Sequence, residues 1–207
     1  MLAIVDYGVG NLFSLKSSLH AINRQAVVTA NPQEILSADH IILPGVGAFG
    51  DAVDRLRSSG LDAVVKQAAG AGKPLMGICL GMQLLFEESC EFGDHEGLGL
   101  IPGRIRPIRW AIPSEYKIPH MGWNALNVKK KGDSLLRYVH DGDCVYFVHS
   151  FYAADCAEHT VATCEYGADL AALVRNKNVC GCQFHPEKSG NVGLNILRAF
   201  CEEESTC

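Results

Sequence analysis

Residues 73–85 read Lys73-Pro74-Leu75-Met76-Gly77-Ile78-Cys79-Leu80-Gly81-Met82-Gln83-Leu84-Leu85. The apolar run at 75–78 has strand character, and the run that begins at Met82 has helix character. Between them, Gly-x-Cys-x-Gly has the form of a nucleophile elbow, a tight strand-to-helix turn that lifts one side chain clear of a sheet. Glycine suits both flanks, because a Cβ there would collide with its neighbours. The turn sets the sulfur at a helix N-terminus, whose partial positive charge favours thiolate over thiol. The competing reading is a buried, inert cysteine. Spacing and flanking elements together favour the elbow.

Working outward, the chain alternates between extended and helical patterns. Residues 2–6 read as a strand, 11–23 as a helix, 25–29 as a strand and 32–37 as a short helix. A strand at 39–43, a largely helical stretch at 48–70, the elbow strand at 73–78 and a helix at 80–89 follow. Such alternation predicts an α/β fold, with a mostly parallel central sheet flanked by helices on both faces. After Gly93 the pattern changes. Gly97, Gly99, Pro102, Gly103 and Pro107 interrupt short apolar pieces, and strand-like runs dominate at 105–110, 124–128, 143–150, 160–165 and 171–176. They predict an antiparallel extension of the sheet. A strand at 179–184 and a helix at 191–203 complete the pattern. No linker or composition shift marks a second unit, so residues 1–207 are expected to form a single domain.

A cysteine nucleophile needs a base, and the base needs a group to orient it. Residues 179–190 supply both, in Val179-Cys180-Gly181-Cys182-Gln183-Phe184-His185-Pro186-Glu187-Lys188-Ser189-Gly190. His185 and Glu187 follow a buried strand pattern. Their two-residue spacing puts both on one side of an extended chain, and Pro186 biases His185 to that conformation. His185 is thus the candidate base and Glu187 its orienting acid. A third segment, Leu43-Pro44-Gly45-Val46-Gly47, ends another apolar strand in a glycine-rich turn. The backbone of Gly45, Val46 and Gly47, with the amide of Leu80 after the nucleophile, can supply oxyanion donors.

Composition sets limits. A chain of 207 residues with 48% hydrophobic content can bury a real core. A net charge of −5 argues against general nucleic-acid binding, which needs a basic face. No apolar run approaches membrane-spanning length, and the chain opens on a strand pattern with no leader sequence. The nine cysteines are an odd number without a repeated framework, which points to reduced thiols in a reducing compartment, the cytoplasm. Cys180, Cys182 and His185 lack the second ligand pair that a zinc site requires. Cys180 and Cys182 instead suit inward-facing positions on one face of the strand.

Joined in order, these motifs resemble the triad, class I glutamine amidotransferases. Tyr146-Phe147-Val148-His149-Ser150 belongs to the same resemblance, and Asp6-Tyr7-Gly8-Val9-Gly10-Asn11-Leu12 and Pro119-His120-Met121-Gly122-Trp123-Asn124 narrow it to the glutaminase subunits of imidazole glycerol phosphate synthases. The resemblance covers essentially the whole chain and implies a flavodoxin-like core. It implies hydrolysis of glutamine through a Cys79 thioester, with no cofactor and no metal. It further implies that Gln83 and Glu91 hold the substrate, with Gly47 and the backbone of Ser150 and Phe151. The family often has tyrosine where Phe151 stands, so a hydroxyl contact there is not expected. A (β/α)₈-barrel synthase subunit is implied as heterodimer partner, taking ammonia through its core. Asn11, Ser14, Trp123, Tyr146 and Lys188 are the expected docking residues, although Trp123 also suits a core position. The lone subunit is implied to be nearly idle until the partner and its ligand bind. Other readings remain open at this point: a triad amidotransferase feeding another synthase, such as a sugar-modifying one; a γ-glutamyl peptidase; and a non-catalytic interaction subunit, whose mark would be a missing triad member.

Overall fold

The computed structural model describes residues 1–204. The chain runs β1 (Leu2–Val5), α1 (Leu12–Ala21), β2 (Ala26–Thr29), α2 (Pro32–Ser37) and β3 (His40–Leu43). It continues through α3 (Phe49–Ser58), α4 (Leu61–Gly70), β4 (Leu75–Ile78) and α5 (Leu80–Leu84). Then come β5 (Glu88–Ser89), β6 (His95–Glu96), β7 (Arg104–Pro107), β8 (His120–Val128), β9 (Cys144–His149) and β10 (Phe151–Ala154). β11 (Thr160–Glu165), β12 (Asp169–Asn176), β13 (Val179–Cys182) and α6 (Gly190–Phe200) complete it.

Nine strands form the central sheet in the order β2-β1-β3-β4-β13-β12-β11-β8-β9. The first five are mutually parallel, and from β13 onward every pairing is antiparallel. The expected parallel core and antiparallel extension are both present. Along β1 the side chains alternate between two cores. Leu2 and Ile4 pack with α1 and α6, while Ala3 and Val5 pack with the residues of α2–α5. Both faces are therefore covered, as a parallel sheet requires. Helical spacing supplies the covering faces: Phe49, Ala52, Val53 and Leu56 on α3, and Gly193, Ile196, Leu197 and Phe200 on α6. Asn11 caps α1 through the Ser14 N–H, and Asn31 caps α2 with Pro32 in its first turn. No helix among the described residues is long and apolar enough to cross a membrane.

Several expectations need correction. The stretch 48–70 is two helices, broken where Gly60 takes φ +71°. The elbow helix stops at Leu84 instead of running to 89. The returning segment 97–101 captures its last carbonyls: Leu98 N–H bonds Leu84 O, Gly99 N–H bonds Phe86 O, and Leu100 N–H bonds Leu85 O. That approach needs glycine, since a Cβ on Gly97 would lie 2.1 Å from Phe86 O. The run at 105–110 is a strand only to Pro107 and then a 3₁₀ turn. β8 begins four residues earlier than expected, at His120. A second, four-stranded sheet, β10-β7-β5-β6, was not expected at all. Two of its strands are only two residues long. Cys180 and Cys182 sit fully buried in one core cluster, as their alternation suggested. Cys207 lies outside the described residues.

Candidate active site

Three adjacent parallel strands each deliver one part of the site from their carboxyl ends, where open α/β sheets bind ligands. β3 leads into Pro44-Gly45-Val46-Gly47, β4 into Cys79, and β13 into Gln183 and then His185.

Cys79 occupies the turn with φ 52° and ψ −111°. A non-glycine residue held there costs about 1–3 kcal/mol and needs its surroundings to enforce it. They do. The Cys79 N–H is tied to Cys182 O at 2.8 Å. A Cβ on Gly81 would lie 1.9 Å from Leu43 O, and one on Gly77 would lie 2.6 Å from Gly81 O. α5 is thereby pressed onto the sheet, and Met82 lies across Gly181 of β13.

His185 is buried, and its Nδ1 lies 2.8 Å from Glu187 Oε1. The remaining ring nitrogen is left for the sulfur. Burial pulls the imidazole pKa down, but hydrogen bonding to Cys79 and Glu187, and their negative charge, outweigh it and lift the value to about 9. The route by which the pair meets differs from expectation. His185 is extended, but Glu187 sits in a 3₁₀ turn over Pro186–Lys188, so a turn and not strand alternation brings the carboxylate back. Ser189 Oγ ties the segment down by donating to His185 O at 2.6 Å and accepting from Tyr146 N–H at 2.9 Å.

A cavity of about 380 Å³ opens over Cys79 and His185, within the range of small-molecule sites. Val46, Gly47, Leu80, Gln83, Glu91 and the 150–151 backbone segment line it. Gly45 lies outside it, in a recess shared with Asn11 and Glu187. Gln83 Nε2 donates to Phe151 O at 3.2 Å and to Gln183 Oε1 at 2.9 Å, which leaves only its own oxygen uncommitted. Glu91 Oε2 accepts the Phe49 N–H at 2.7 Å and so caps α3 from outside. Burial raises the Glu91 pKa, partly countered by that bond. A larger open groove of about 750 Å³ lies beside β2, but it holds no nucleophile paired with a base. Among the described residues no three His, Cys, Asp or Glu side chains cluster to hold a metal.

Around the mouth, Trp123 is 56% and Met121 64% exposed, which rules out the core reading of Trp123. Trp123 meets Tyr146 edge to face at 6.0 Å, and Lys188 Nζ lies 5.9 Å from the Tyr146 ring centroid. Asn11 Oδ1 is engaged by the Ser14 N–H at 3.4 Å, so these two nominated residues first of all start α1.

The model of the family described as "Glutamine amidotransferase class-I" matches residues 3–203. The chain belongs to the class-I glutamine amidotransferases. Imidazole glycerol phosphate synthase subunit HisH of Bacillus cereus (strain B4264) is 50% identical to it over 201 residues, 97% of this chain and 93% of that one. The subunit of the same name from Wolinella succinogenes is 48% identical over 204 residues, covering 98% and 99%. A solved structure of a glutamine amidotransferase aligns with a TM-score of 0.75 at 20% identity and covers 97% of both chains. PurLQS from Thermotoga maritima aligns at 0.73 with 19% identity, covering 97% and 96%. These two likenesses are of fold.

In this class-I amidotransferase the structure also brings in groups that sequence reasoning missed. Gln183 Nε2 donates toward Cys79 Sγ at 3.8 Å. His149 lines the cavity, and Tyr7 reaches the turn before Gly45. Gln183 stood in a quoted motif, two residues before the base His185. Tyr7 and His149 also stood in quoted motifs, but their contacts are made through the fold, so their roles could not be read from those runs.

Proposed function

We propose that this chain is the glutaminase subunit of an imidazole glycerol phosphate synthase in histidine biosynthesis, acting in the cytoplasm as a single amidotransferase domain. Cys79 is the nucleophile, His185 the acid and base, and Glu187 the group that orients His185. The Cys79 sulfur attacks the side-chain carboxamide carbon of glutamine. Charge gathers on the carboxamide oxygen, which backbone N–H groups of the 45–47 turn and of Leu80 hold. His185 gives its proton to the departing nitrogen, the C–N bond breaks, and ammonia leaves a γ-glutamyl thioester. His185 then takes a proton from water, the resulting hydroxide attacks the thioester, and glutamate departs as the thiol reforms. The uncommitted oxygen of Gln83 and the carboxylate of Glu91 hold the substrate's ammonium group, with the backbone of Ser150 and Phe151 alongside.

Ammonia released into water becomes ammonium and loses its nucleophilicity. A (β/α)₈-barrel synthase subunit that closes over the mouth and takes ammonia directly avoids that loss. Trp123, Tyr146 and Lys188 offer it an apolar, cationic rim, with Asn11 and Ser14 beside them. The observation that carries the reading is His185 tied to Glu187 at 2.8 Å and lifted in pKa by the Cys79 sulfur, at the end of neighbouring strands. The test is glutamine hydrolysis by the chain mixed with a barrel synthase subunit and its nucleotide substrate. Cys79→Ser should lower turnover by at least about a thousandfold, the scale on which loss of a nucleophile acts. Retained turnover would remove the mechanism.

A further inference from the structure

Two buried histidines, His149 in the cavity wall and His120 behind it, take no part in the chemistry above. His149 closes β9 and His120 opens β8, and they are register partners across that strand pair. His149 Nδ1 lies 2.8 Å from the Phe151 carbonyl oxygen, the same oxygen that accepts from Gln83. His149 Nε2 lies 2.9 Å from His120 Nδ1. His120 Nε2 lies 3.1 Å from the side-chain amide of Asn124, which also reaches Glu165 O at 3.1 Å. The His120 ring lies flat against Phe147 and Tyr166, with centroids 4.8 and 4.0 Å away. That stacking hinders the ring from turning over to exchange its nitrogens.

Both ends of this chain are carbonyl oxygens, and that decides where its hydrogens sit. Phe151 O only accepts, so His149 Nδ1 carries a hydrogen. In a neutral ring Nε2 is then bare and needs a donor, which His120 Nδ1 supplies. His120 Nε2 is in turn bare and needs a donor from Asn124. In the structure the Asn124 oxygen faces that nitrogen. Keeping it there would place three hydrogens on two rings, a buried cation. Burial opposes this, pulling the His120 pKa down and that of His149 to about 3. The neighbouring His185 opposes it further. A half-turn of the Asn124 amide exchanges oxygen and nitrogen without changing shape. It replaces the bond to Glu165 O by a contact between two acceptors, at an exposed residue where water can separate them, and leaves both rings neutral.

We propose that Asn124, His120 and His149 form a one-way hydrogen-bond relay that fixes the His149 tautomer and holds the Phe151 carbonyl, making His120 a positioning residue for the glutamine-binding wall. The inference rests on the reading that the backbone of Ser150 and Phe151 holds glutamine. The relay begins on β8 one residue from exposed Trp123, so the strand at the mouth also carries the first donor.

Nitrogen-15 NMR of histidine-labelled protein tests the relay without any assay of activity. Both rings should show hydrogen on Nδ1 and a bare Nε2 near neutral pH. Hydrogen on Nε2 of either ring, or a doubly protonated ring, overturns the proposal. His120→Phe keeps a flat ring between Phe147 and Tyr166 and deletes both nitrogens. His149 should then lose its single tautomer, and the KM for glutamine should rise on the order of tenfold, as loss of one buried hydrogen-bond partner gives, with kcat changed far less. His120→Asn, which can again present an N–H to His149, should recover most of the KM. An unchanged KM in folded His120→Phe overturns the positioning role. A wild-type chain that does not hydrolyse glutamine with its partner overturns the function instead, and the tautomer measurement still decides the relay.

Discussion

Tyr7 shows how much of the chemistry is set by single contacts that local sequence does not announce. Its hydroxyl donates to Pro44 O at 2.7 Å, across 37 residues of chain. The bond fixes the peptide just before the 45–47 turn. The freedom that Gly45 and Gly47 confer is thereby confined to the peptides on either side of Val46, which is 40% exposed. Gly45 is needed beneath it, since a Cβ there would lie 2.9 Å from the Tyr7 hydroxyl and 2.7 Å from Gly81 N. Burial, with the nearby Cys79 charge adding to it, raises the Tyr7 pKa, so the hydroxyl keeps its proton and remains a donor. Tyr7→Phe removes one oxygen and leaves a buried carbonyl without a partner, at a cost of about 1–3 kcal/mol in stability. The loosened turn should lower kcat for glutamine several-fold and leave KM near its wild-type value, because the proposed oxyanion donor would act on the transition state and not on the bound substrate. Steady-state kinetics with the synthase subunit checks this, and an unchanged kcat would mean that the turn is held by other contacts. The meeting of Cys79, His185 and Glu187 was readable because strand-turn motifs carry all three. The Tyr7 bond was not, because its partner lies at the end of another strand.

The elements show the same division. The alternating βα pattern up to Ile78 could be read from periodicity, since each strand and helix buries a face of its own. The short strands β5 and β6 have no such pattern and exist only through pairing with β7 and each other. The early end of α5 is likewise imposed from outside, by the segment that returns to its carbonyls. Where one element sits directly on another, a single methyl group should matter. Gly193, in α6, packs against the turn that carries Glu187, and a Cβ there would lie 1.9 Å from Pro186 O. That atom is backbone, so the turn itself must move. Gly193→Ala should cost about 1–3 kcal/mol, as overpacking usually does. It should also cut kcat by tenfold or more, because a shift of about 1 Å separates Glu187 from His185. Unfolding midpoints and rates at a temperature where the variant is folded separate the two effects. A folded variant with wild-type kcat would show that the turn and the helix move together.

At the scale of the whole molecule, the end of the chain holds the site from behind. α6 begins just after His185 and Glu187, and its far end is locked to the sheet by Arg175 of β12. Arg175 Nε and Nη2 form a fork on Asp133 at 2.8 and 3.0 Å, and the guanidinium also reaches both oxygens of Glu203 just beyond α6. The Asp133 and Glu203 side chains are 7% and 8% exposed, so their negative charges depend on the guanidinium for compensation. Burial opposes the Arg175 charge, but its acidic neighbours outweigh it and hold its pKa above the usual value. Arg175→Met would strand two buried carboxylates. The expected loss is about 3–5 kcal/mol, the range found when one member of a buried ion pair is removed. Adding Asp133→Leu and Glu203→Leu removes the stranded charges, and the triple variant should recover most of that loss, since apolar replacement of a whole buried network is often neutral. Urea midpoints decide between this and an ordinary surface pair. A loss below about 1 kcal/mol that shrinks in high salt would mean that water already compensates the carboxylates. A large, salt-insensitive loss that the triple variant repairs would place the lock on α6, and through it the footing of His185, in this one guanidinium.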